Sequence, residues 1–226
     1  GNTLAAPLLM SELARSDTAR NLLRVFRLQE RLKAFGRPND RAHDIRHVHV
    51  VGAGAMGGDI AAWCALKEIR VTLQDQDRQR IADAQARANT LFARRLKSKR
   101  LQRNAADRLI PDPQGHGIAH ADLVIEAITE DLEAKQSLYA RIEPRMKADA
   151  ILASNTSSLP LQTLQAGLDQ PGRFVGIHFF NPVASMPLVE VIDTPETGAA
   201  VRASALAFVG KLGKLPLPVK DTPGFL

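Results

Sequence analysis

The sequence predicts an α/β protein with a doubly wound, mostly parallel sheet. Short apolar runs alternate with segments of helical periodicity along most of the chain, which is the pattern of parallel strands joined by helical crossovers. The first apolar run, residues 47–51, leads into glycines with the spacing G-x-G-x-x-G. A helix-forming segment follows, and a second apolar run then ends at Asp75. Strand, glycine turn, helix, strand and acid together form the Rossmann-type pattern.

Each glycine of this motif has a separate physical task. Gly52 permits the tight turn after the strand, Gly54 lets the backbone approach a pyrophosphate, and Gly57 lets the helix pack closely on the strand. Asp75, about twenty residues further on, is placed to accept hydrogen bonds from an adenosine ribose. A loop of small residues is the competing interpretation. The surrounding strand, helix and acid favour dinucleotide binding over it.

The charge at the end of the second strand bears on which dinucleotide binds. Asp75 favours NAD over NADP, because a carboxylate repels a 2′-phosphate. Arg78 and Arg80 lie close to it in the sequence and leave NADP open as an alternative.

Size and composition limit the classes of protein that the sequence can encode. The 226 residues suit one large domain, or one domain with an appendage. No apolar run approaches the length of a membrane span, and residues 1–10 lack the basic start and long apolar centre of a signal peptide. Cys64 is the only cysteine, so we expect no internal disulfide and a reducing, cytoplasmic compartment. It falls within a predicted helix, where a small buried residue is favoured over a nucleophile.

The net charge of +6 suggests an anionic partner. The densest basic block is residues 94–103, and two interpretations remain for it: a solvated helix face, and a contact with a phosphate-bearing ligand. Nucleic acid is the weaker candidate, because only 4% of residues are aromatic and no nucleic-acid motif accompanies the charge.

Residues 1–45 are predicted to form a connector that is separate from the sheet. Apolar residues recur at helical spacing from residue 18 to residue 35, and Gly36 is placed to end this helix. The helix is amphipathic and must pack on something, either this domain or another one. We therefore expect an N-terminal linker helix ahead of a Rossmann domain that spans residues 46–226.

The elements after Asp75 follow in order. A long helix is expected through the basic block, and then a loop at residues 110–115. Two more helices are predicted, at residues 132–146 and 197–212, and Pro144 is placed to end or kink the first. Strands are predicted at residues 123–125, 151–153, 174–177, 188–192 and 215–219.

Polar residues follow the predicted strands at the edge where ligands bind in such sheets. His178 ends an apolar run, where a group that accepts a proton near neutral pH would serve a hydride transfer. Glu190 lies between apolar residues and needs a partner, for which an imidazole is suitable. Ser157 lies on a loop at the same edge and is placed to bond a substrate or a nicotinamide. The competing interpretations are a core histidine, a solvent-facing glutamate and plain turn chemistry.

The remaining histidines show no spacing typical of a metal site, and we expect no metal. We expect them on the surface or in loops: His43, His47, His49, His116 and His120.

Several longer motifs lie outside the glycine turn. They are ADLVIEA at residues 121–127, ASNTSSL at 153–159, RFVGIHFFNPV at 173–183, LVEVI at 188–192 and KDTPGF at 220–225. Together these motifs resemble the NAD-binding domain of L-3-hydroxyacyl-CoA dehydrogenase, from about residue 47 to the end of the chain. The preceding helix is similar to the connector after the enoyl-CoA hydratase domain in multifunctional fatty-acid β-oxidation proteins.

The resemblance implies an NAD-dependent oxidation of (3S)-3-hydroxyacyl-CoA to 3-oxoacyl-CoA. It implies that His178 is the base, that Glu190 orients it and that Ser157 contacts substrate and cofactor. It also implies that CoA phosphates are held near the basic block. The NAD-binding residues that it implies are Gly52, Gly54, Met56, Gly57, Asp75, Glu130, Lys135, Ser157 and Asn181.

The sequence departs from the family at its end. The family's Asn-Arg pair after Pro-Gly-Phe, and the all-helical domain that closes the site, are absent from it. We therefore expect part of a longer protein, which binds NAD with little or no turnover. Two alternatives remain: a dehydrogenase of a free 3-hydroxy acid, and a non-catalytic NAD-binding module of a larger complex. An assay with a CoA ester and with the free acid separates the first, and kinetics of the full-length protein decide the second.

Overall fold

The computed structural model describes residues 16–222 and residue 224. The expectation about a signal peptide concerns residues 1–10 and lies outside the described residues. Within the described part of the chain, no helix is both long enough and apolar enough to cross a membrane.

Eight strands form one sheet. In chain order they are β1 (His47–Val51), β2 (Arg70–Gln74), β3 (Leu109–Pro111), β4 (Leu123–Glu126), β5 (Ile151–Ser154), β6 (Phe174–Phe179), β7 (Leu188–Asp193) and β8 (Leu215–Lys220). Across the sheet the order is β3-β2-β1-β4-β5-β6-β7-β8. The first six strands run parallel, whereas β7 is antiparallel to β6 and β8 is parallel to β7. The predicted mostly parallel sheet is confirmed, with a reversed pair at one edge.

Helices cover both faces of the sheet. They are α1 (Asp17–Phe35), α2 (Ala55–Leu66), α3 (Arg78–Arg95), α4 (Lys99–Arg108), α5 (Leu132–Ile142), α6 (Leu161–Gln165) and α7 (Ala199–Lys211). Side chains from α2, α3, α4 and α7 share one core with alternate strand residues, such as Leu123 and Ile125. Val124, between those two, points into a second core with α5 and α6. Successive strand residues point to opposite faces, so the doubly wound arrangement is confirmed.

Two predicted elements between β2 and β4 are wrong in detail. The expected long helix is two helices, because the chain leaves helical geometry at Leu96 and Ser98 begins α4 by accepting a hydrogen bond from the Leu101 N–H. The expected loop at residues 110–115 begins inside β3. Pro111 is tolerated there because β3 is an edge strand, where a missing N–H donor costs no ladder bond.

Cys64 is fully buried within α2, as predicted. Burial raises the pKa of its thiol to about 12, which keeps the thiolate population negligible near neutral pH.

Helix α1 stands apart from both cores. Ser16 caps it by accepting a hydrogen bond from the Ala19 N–H, and none of its residues is buried. The helix packs against β8 and α7. At its end, the backbones of Gly36 and Gly210 touch so closely that a Cβ on Gly210 would lie 2.3 Å from the Gly36 carbonyl oxygen.

Substitution of Gly210 by alanine tests how the connector is held. The added Cβ cannot coexist with the Gly36 carbonyl at 2.3 Å, so we expect the connector to leave this position while the sheet stays folded. Trypsin should then cut after Arg41 several-fold faster than in the wild type, and the far-ultraviolet circular dichroism should change little.

Gly172→Ala is the matched control, because in the part of the chain that the structure describes its added Cβ would meet no atom closer than 3.5 Å. Trypsin should digest this variant at the wild-type rate. Equal digestion of Gly210→Ala and the wild type would show that the close contact does not hold the connector.

Candidate functional site

A cleft of about 900 Å³ lies at the carboxyl edge of the sheet, between the glycine turn and the ends of β2, β4, β5 and β6. Eight of the eleven predicted site residues line it. The other three are buried. The lining residues are Gly52, Gly54, Met56, Asp75, Glu130, Ser157, His178 and Asn181, and the buried ones are Gly57, Lys135 and Glu190.

The three glycines of the turn differ in what surrounds them. Gly52 has a φ of +103°, and a Cβ there would lie 2.5 Å from the Ala127 carbonyl oxygen. A Cβ on Gly57 would lie 1.9 Å from the Gly52 carbonyl oxygen. A Cβ on Gly54, in contrast, would meet no atom of the described residues within 4 Å. Two glycines therefore let the protein's own backbone close the turn, while Gly54 leaves open space in the cleft that a ligand can occupy.

The first turn of α2 borders this open space, since Ala55 and Met56 line the cleft with Gly54. The helix begins at Ala55 without a side-chain cap and without an acidic residue in its first turn, so its N–H groups and dipole favour an anion. Asp75 accepts hydrogen bonds from the N–H groups of Ala53 at 2.7 Å and Asp77 at 2.9 Å. These bonds fix the carboxylate beside the turn. The arrangement fits a pyrophosphate at the helix end and a ribose at the acid.

His178 and Glu190 lie opposite each other in the antiparallel pair of β6 and β7. The imidazole Nδ1 is 2.7 Å from the carboxylate Oε2, and the two side chains are 15% and 1% exposed. Because a carboxylate only accepts hydrogen bonds, Nδ1 carries a proton and Nε2 is the nitrogen that can take one up. The other oxygen, Oε1, is buried and has no hydrogen-bond partner among the described residues.

Residues after β5 and β6 are linked at the cleft. Asn181 lines it beside His178, and the ring of Phe180 lies 4.7 Å from the His178 ring, centroid to centroid. Asn155, which was not predicted as a site residue, lines the cleft and accepts a hydrogen bond from the Phe179 N–H at 2.9 Å. This bond aligns the two strand ends.

A buried carboxylate near the cleft was not among the predicted site residues. Glu126 ends β4 and is 0% exposed. Its Oε1 accepts hydrogen bonds from the Lys135 ammonium at 2.6 Å and the Ile128 N–H at 2.8 Å. Its Oε2 accepts from the hydroxyls of Tyr139 and Ser154, both at 2.7 Å. An acid at the end of an apolar strand, nine residues before a lysine, is the sequence signal that could have identified this pair.

Lys135 connects this carboxylate to a second one, Glu130, whose Oε2 is 3.3 Å from the Lys135 ammonium. The Glu130 Oε1 accepts hydrogen bonds from the Thr156 hydroxyl at 2.6 Å and from the N–H groups of Ser157 at 2.8 Å and Ser158 at 3.1 Å. Burial alone would raise the pKa of Glu130, but the bonds from Thr156 and Ser157 and the charge of Lys135 outweigh it and lower the pKa to about 2. Glu130 therefore fixes the loop that carries Ser157.

The expectation that the other histidines lie on the surface or in loops is wrong for His49, which is fully buried in β1. Its Nε2 is 3.0 Å from the Gln74 Oε1, which only accepts, so Nε2 carries the proton and Nδ1 accepts from the Thr72 hydroxyl at 2.8 Å. Burial lowers the pKa of His49 to about 4. Gln74 lines the cleft, so this neutral chain of hydrogen bonds ends at the candidate site.

No group of three or more His, Cys, Asp or Glu side chains is arranged to hold a metal ion in the region that the structure describes. The basic block does not line the cleft, and its cationic residues are exposed. They are Arg94, Arg95, Lys97, Lys99, Arg100 and Arg103.

Comparison with known sequences gives one family and its relatives. The family model described as the 3-hydroxyacyl-CoA dehydrogenase NAD binding domain matches residues 47–222. The fatty acid oxidation complex subunit alpha of Pseudomonas entomophila is 37% identical over 221 residues, which are 96% of this chain and 31% of that protein. The chain thus spans less than a third of that relative's length, and the likeness includes part of the connector.

Solved structures show the same likeness. The (S)-3-hydroxybutyryl-CoA dehydrogenase PaaH1 of Ralstonia eutropha is similar with a TM-score of 0.77 and 34% identity, over 81% of this chain and 66% of that one. FadB2 of M. tuberculosis is similar with a TM-score of 0.78 and 34% identity, over 81% of this chain and 67% of that one. Both likenesses support the Rossmann-type fold.

The pKa of Glu130 generates a prediction about stability. In the folded chain Glu130 stays ionised down to about pH 2, whereas in the unfolded chain it takes up a proton near the ordinary pKa of 4.5. Its stabilisation is therefore present above about pH 4.5 and is lost as the pH falls towards 2. Between about pH 5 and pH 3, we expect the free energy of urea unfolding to fall less steeply for Glu130→Gln than for the wild type.

Glu133→Gln is the control, because Glu133 is an exposed neighbour. It should keep the wild-type slope. Parallel slopes for Glu130→Gln and the wild type would mean that the Glu130 carboxylate does not stabilise the folded state.

Proposed function

This chain belongs to the 3-hydroxyacyl-CoA dehydrogenase family and carries its NAD-binding domain, and we propose from this premise that it serves the oxidation of (3S)-3-hydroxyacyl-CoA to 3-oxoacyl-CoA in fatty-acid β-oxidation. The observation that carries the proposal is the hydrogen bond between buried Glu190 and His178, which lines a cleft that also contains an open glycine turn. A fold alone would not support a reaction. An acid–base pair beside a dinucleotide site does, because oxidation of an alcohol releases a proton as well as a hydride.

The glycine turn and the end of β2 would hold the cofactor. The open space at Gly54 and the uncapped N–H groups of α2 suit the pyrophosphate, and Asp75 suits the ribose of NAD. Met56 would line the same site. When bound, NAD supplies the acceptor for the hydride that leaves C3 of the substrate.

His178 would be the base of the reaction. Its Nδ1–H donates to the Glu190 Oε2, and its Nε2 would accept the proton of the substrate's 3-hydroxyl. The buried carboxylate would stabilise the imidazolium that forms, and would hold the ring in the tautomer that the reaction needs. The imidazolium would later release its proton to solvent.

The neighbouring polar residues would orient the reactants. Ser157 would contact substrate and cofactor from the loop that Glu130 fixes, and Asn181 would lie beside the nicotinamide. Lys135 is buried between two carboxylates, so its contribution would be to hold Glu130 rather than to touch NAD directly.

We propose that the active protein is longer than this chain, because the relatives are about three times as long. A connector of residues 1–45 would join an enoyl-CoA hydratase domain to the Rossmann domain of residues 46–226, and a C-terminal helical domain would complete the acyl-CoA site. The exposed basic block outside the cleft would contact CoA phosphates, as the resemblance to the family implies. A single buried cysteine suits the cytoplasm of a bacterium, where thiols stay reduced.

The 226-residue chain should bind NADH but turn over acetoacetyl-CoA slowly or not at all, since half of the proposed acyl-CoA cleft lies in other segments. NADH fluorescence measures binding, and NADH absorbance measures turnover. If the chain does not bind NADH, the proposal is wrong. If it turns over acetoacetyl-CoA rapidly, other segments are not needed for activity. In the longer protein, faster reduction of free acetoacetate than of its CoA ester would favour a free-acid dehydrogenase.

In the longer protein, His178→Ala should lower kcat by about a thousandfold, within the usual range for loss of a general base, and NADH should bind with unchanged affinity. Exposed His116 offers the control: His116→Ala should leave kcat unchanged. A His178→Ala enzyme that retains its rate would remove this residue from the proposed chemistry.

A further inference from the structure

Residues 181–187 lie between β6 and β7 and reach the cleft at their first residue. Asn181 lines the cleft, and Phe180, just before it, packs against the His178 ring. Val183 is 1% exposed and belongs to the main core. This segment, which we name the 181–187 loop, therefore joins the candidate site to the interior.

Lys214 does not line the cleft, but its side chain is hydrogen-bonded to this loop. Its ammonium donates hydrogen bonds to the carbonyl oxygens of Val183 and, at 2.6 Å, Met186. Lys214 is only 5% exposed. The same ammonium lies 4.3 Å from the centroid of the Trp63 ring, which is within the range of a cation–π contact.

Two further donors hold the same loop. A guanidinium nitrogen of Arg95 donates to the Ala184 carbonyl at 3.1 Å, and the Leu215 N–H donates to the Pro187 carbonyl at 2.7 Å. With the two bonds from Lys214, four carbonyls of one short loop are held by donors from other parts of the chain. A loop held in this way places its first residue, Asn181, reproducibly.

The surroundings of Lys214 make its protonated form less stable than that of an exposed lysine. Burial, and then the positive charges of Lys67 and Arg95, lower the pKa of Lys214 to about 8. Loss of the proton would leave a neutral amine, whose hydrogen bonds are no longer charge-assisted and which makes no cation–π contact. The hold on the loop should therefore weaken as the pH rises above about 8.

We propose that Lys214 is a positioning residue of the cleft, which holds the 181–187 loop so that Asn181 stays in place beside the bound cofactor. The contacts with the loop stand on geometry alone. The consequence for cofactor binding rests on the proposed function.

Other charged groups lie around Lys214, and those nearest to it affect its pKa. Lys67 and Arg95 approach the Trp63 ring at 5.2 and 5.9 Å. A cavity of about 730 Å³ also borders Lys214. The titratable residues that line this cavity with it are Lys33, Arg37, His43, Asp44 and Lys211.

Three variants of the whole chain test the proposal. Lys214→Met removes the ammonium but keeps the aliphatic stem, and Lys214→Arg keeps a charge and should restore the hold. Lys67→Met is the matched control, because it removes another ammonium near Trp63 but none of the loop contacts described above. Trp63 is the only tryptophan, so its emission reports on these side chains without any cofactor.

Wild-type Trp63 emission should change with pH around a midpoint of about 8. The change should be absent in Lys214→Met and Lys214→Arg, and in Lys67→Met the midpoint should rise because a like charge has gone. Among the three variants, only Lys214→Met should show faster exchange of the amide hydrogens of the 181–187 loop.

The Kd for NADH should rise about tenfold in Lys214→Met, as for one lost charge-assisted hydrogen bond. It should rise less than about threefold for Lys214→Arg and not at all for Lys67→Met.

If amide hydrogens of the 181–187 loop exchange at the wild-type rate in Lys214→Met, Lys214 does not hold the loop. If the Kd for NADH is also unchanged in this variant, the loop contacts do not affect cofactor binding. If Lys214→Met fails to fold, the wild type decides: its NADH affinity must fall above about pH 8, and that of Lys214→Arg must not. A wild-type chain that does not bind NADH would overturn the proposed function. Hydrogen exchange and Trp63 emission would still test whether Lys214 holds the 181–187 loop.

Discussion

The shape of the cleft depends on the buried carboxylate of Glu126. Taking a carboxylate and an ammonium out of water costs several kcal/mol per ion unless hydrogen bonds offset it, and here the carboxylate accepts four. Those bonds tie the end of β4 to the end of β5 and to α5. Lys135 extends the connection to Glu130 and so to the loop of Ser157. One wall of the cleft is thus set by an ion pair that is almost entirely buried.

The opposite wall depends on strand register. His178 faces Glu190 because β7 runs antiparallel to β6, and the flanking pairs place Ile177 opposite Val191 in the core. A slip of one residue would move Glu190 to the other face of the sheet and expose the apolar side chains. The pattern that stabilises the core therefore also brings the imidazole and the carboxylate together.

Local patterns made much of this predictable. The glycine turn and the strand ends follow from neighbouring residues, and the resemblance to the dehydrogenase family added Met56, Glu130 and Asn181. Together they placed the cleft and eight of its lining residues. The missed features depend on distant residues. Glu126 directly follows the strand predicted at residues 123–125, and its burial depends on hydrogen bonds from the distant Tyr139 and Ser154. His49 is buried only because Thr72 and Gln74 satisfy the hydrogen bonds of its ring. Strand β3 has three residues and one proline, so it carries little pattern of its own.

The burial of Cys64 has a practical consequence. Alkylating reagents attack the thiolate, and a thiol with a pKa near 12 inside α2 offers almost none of it. A cysteine engineered on the surface of this chain would be alkylated while Cys64 stays unmodified. Fluorophores or spin labels attached at such a position would report on one chosen place without removal of the native sulfur.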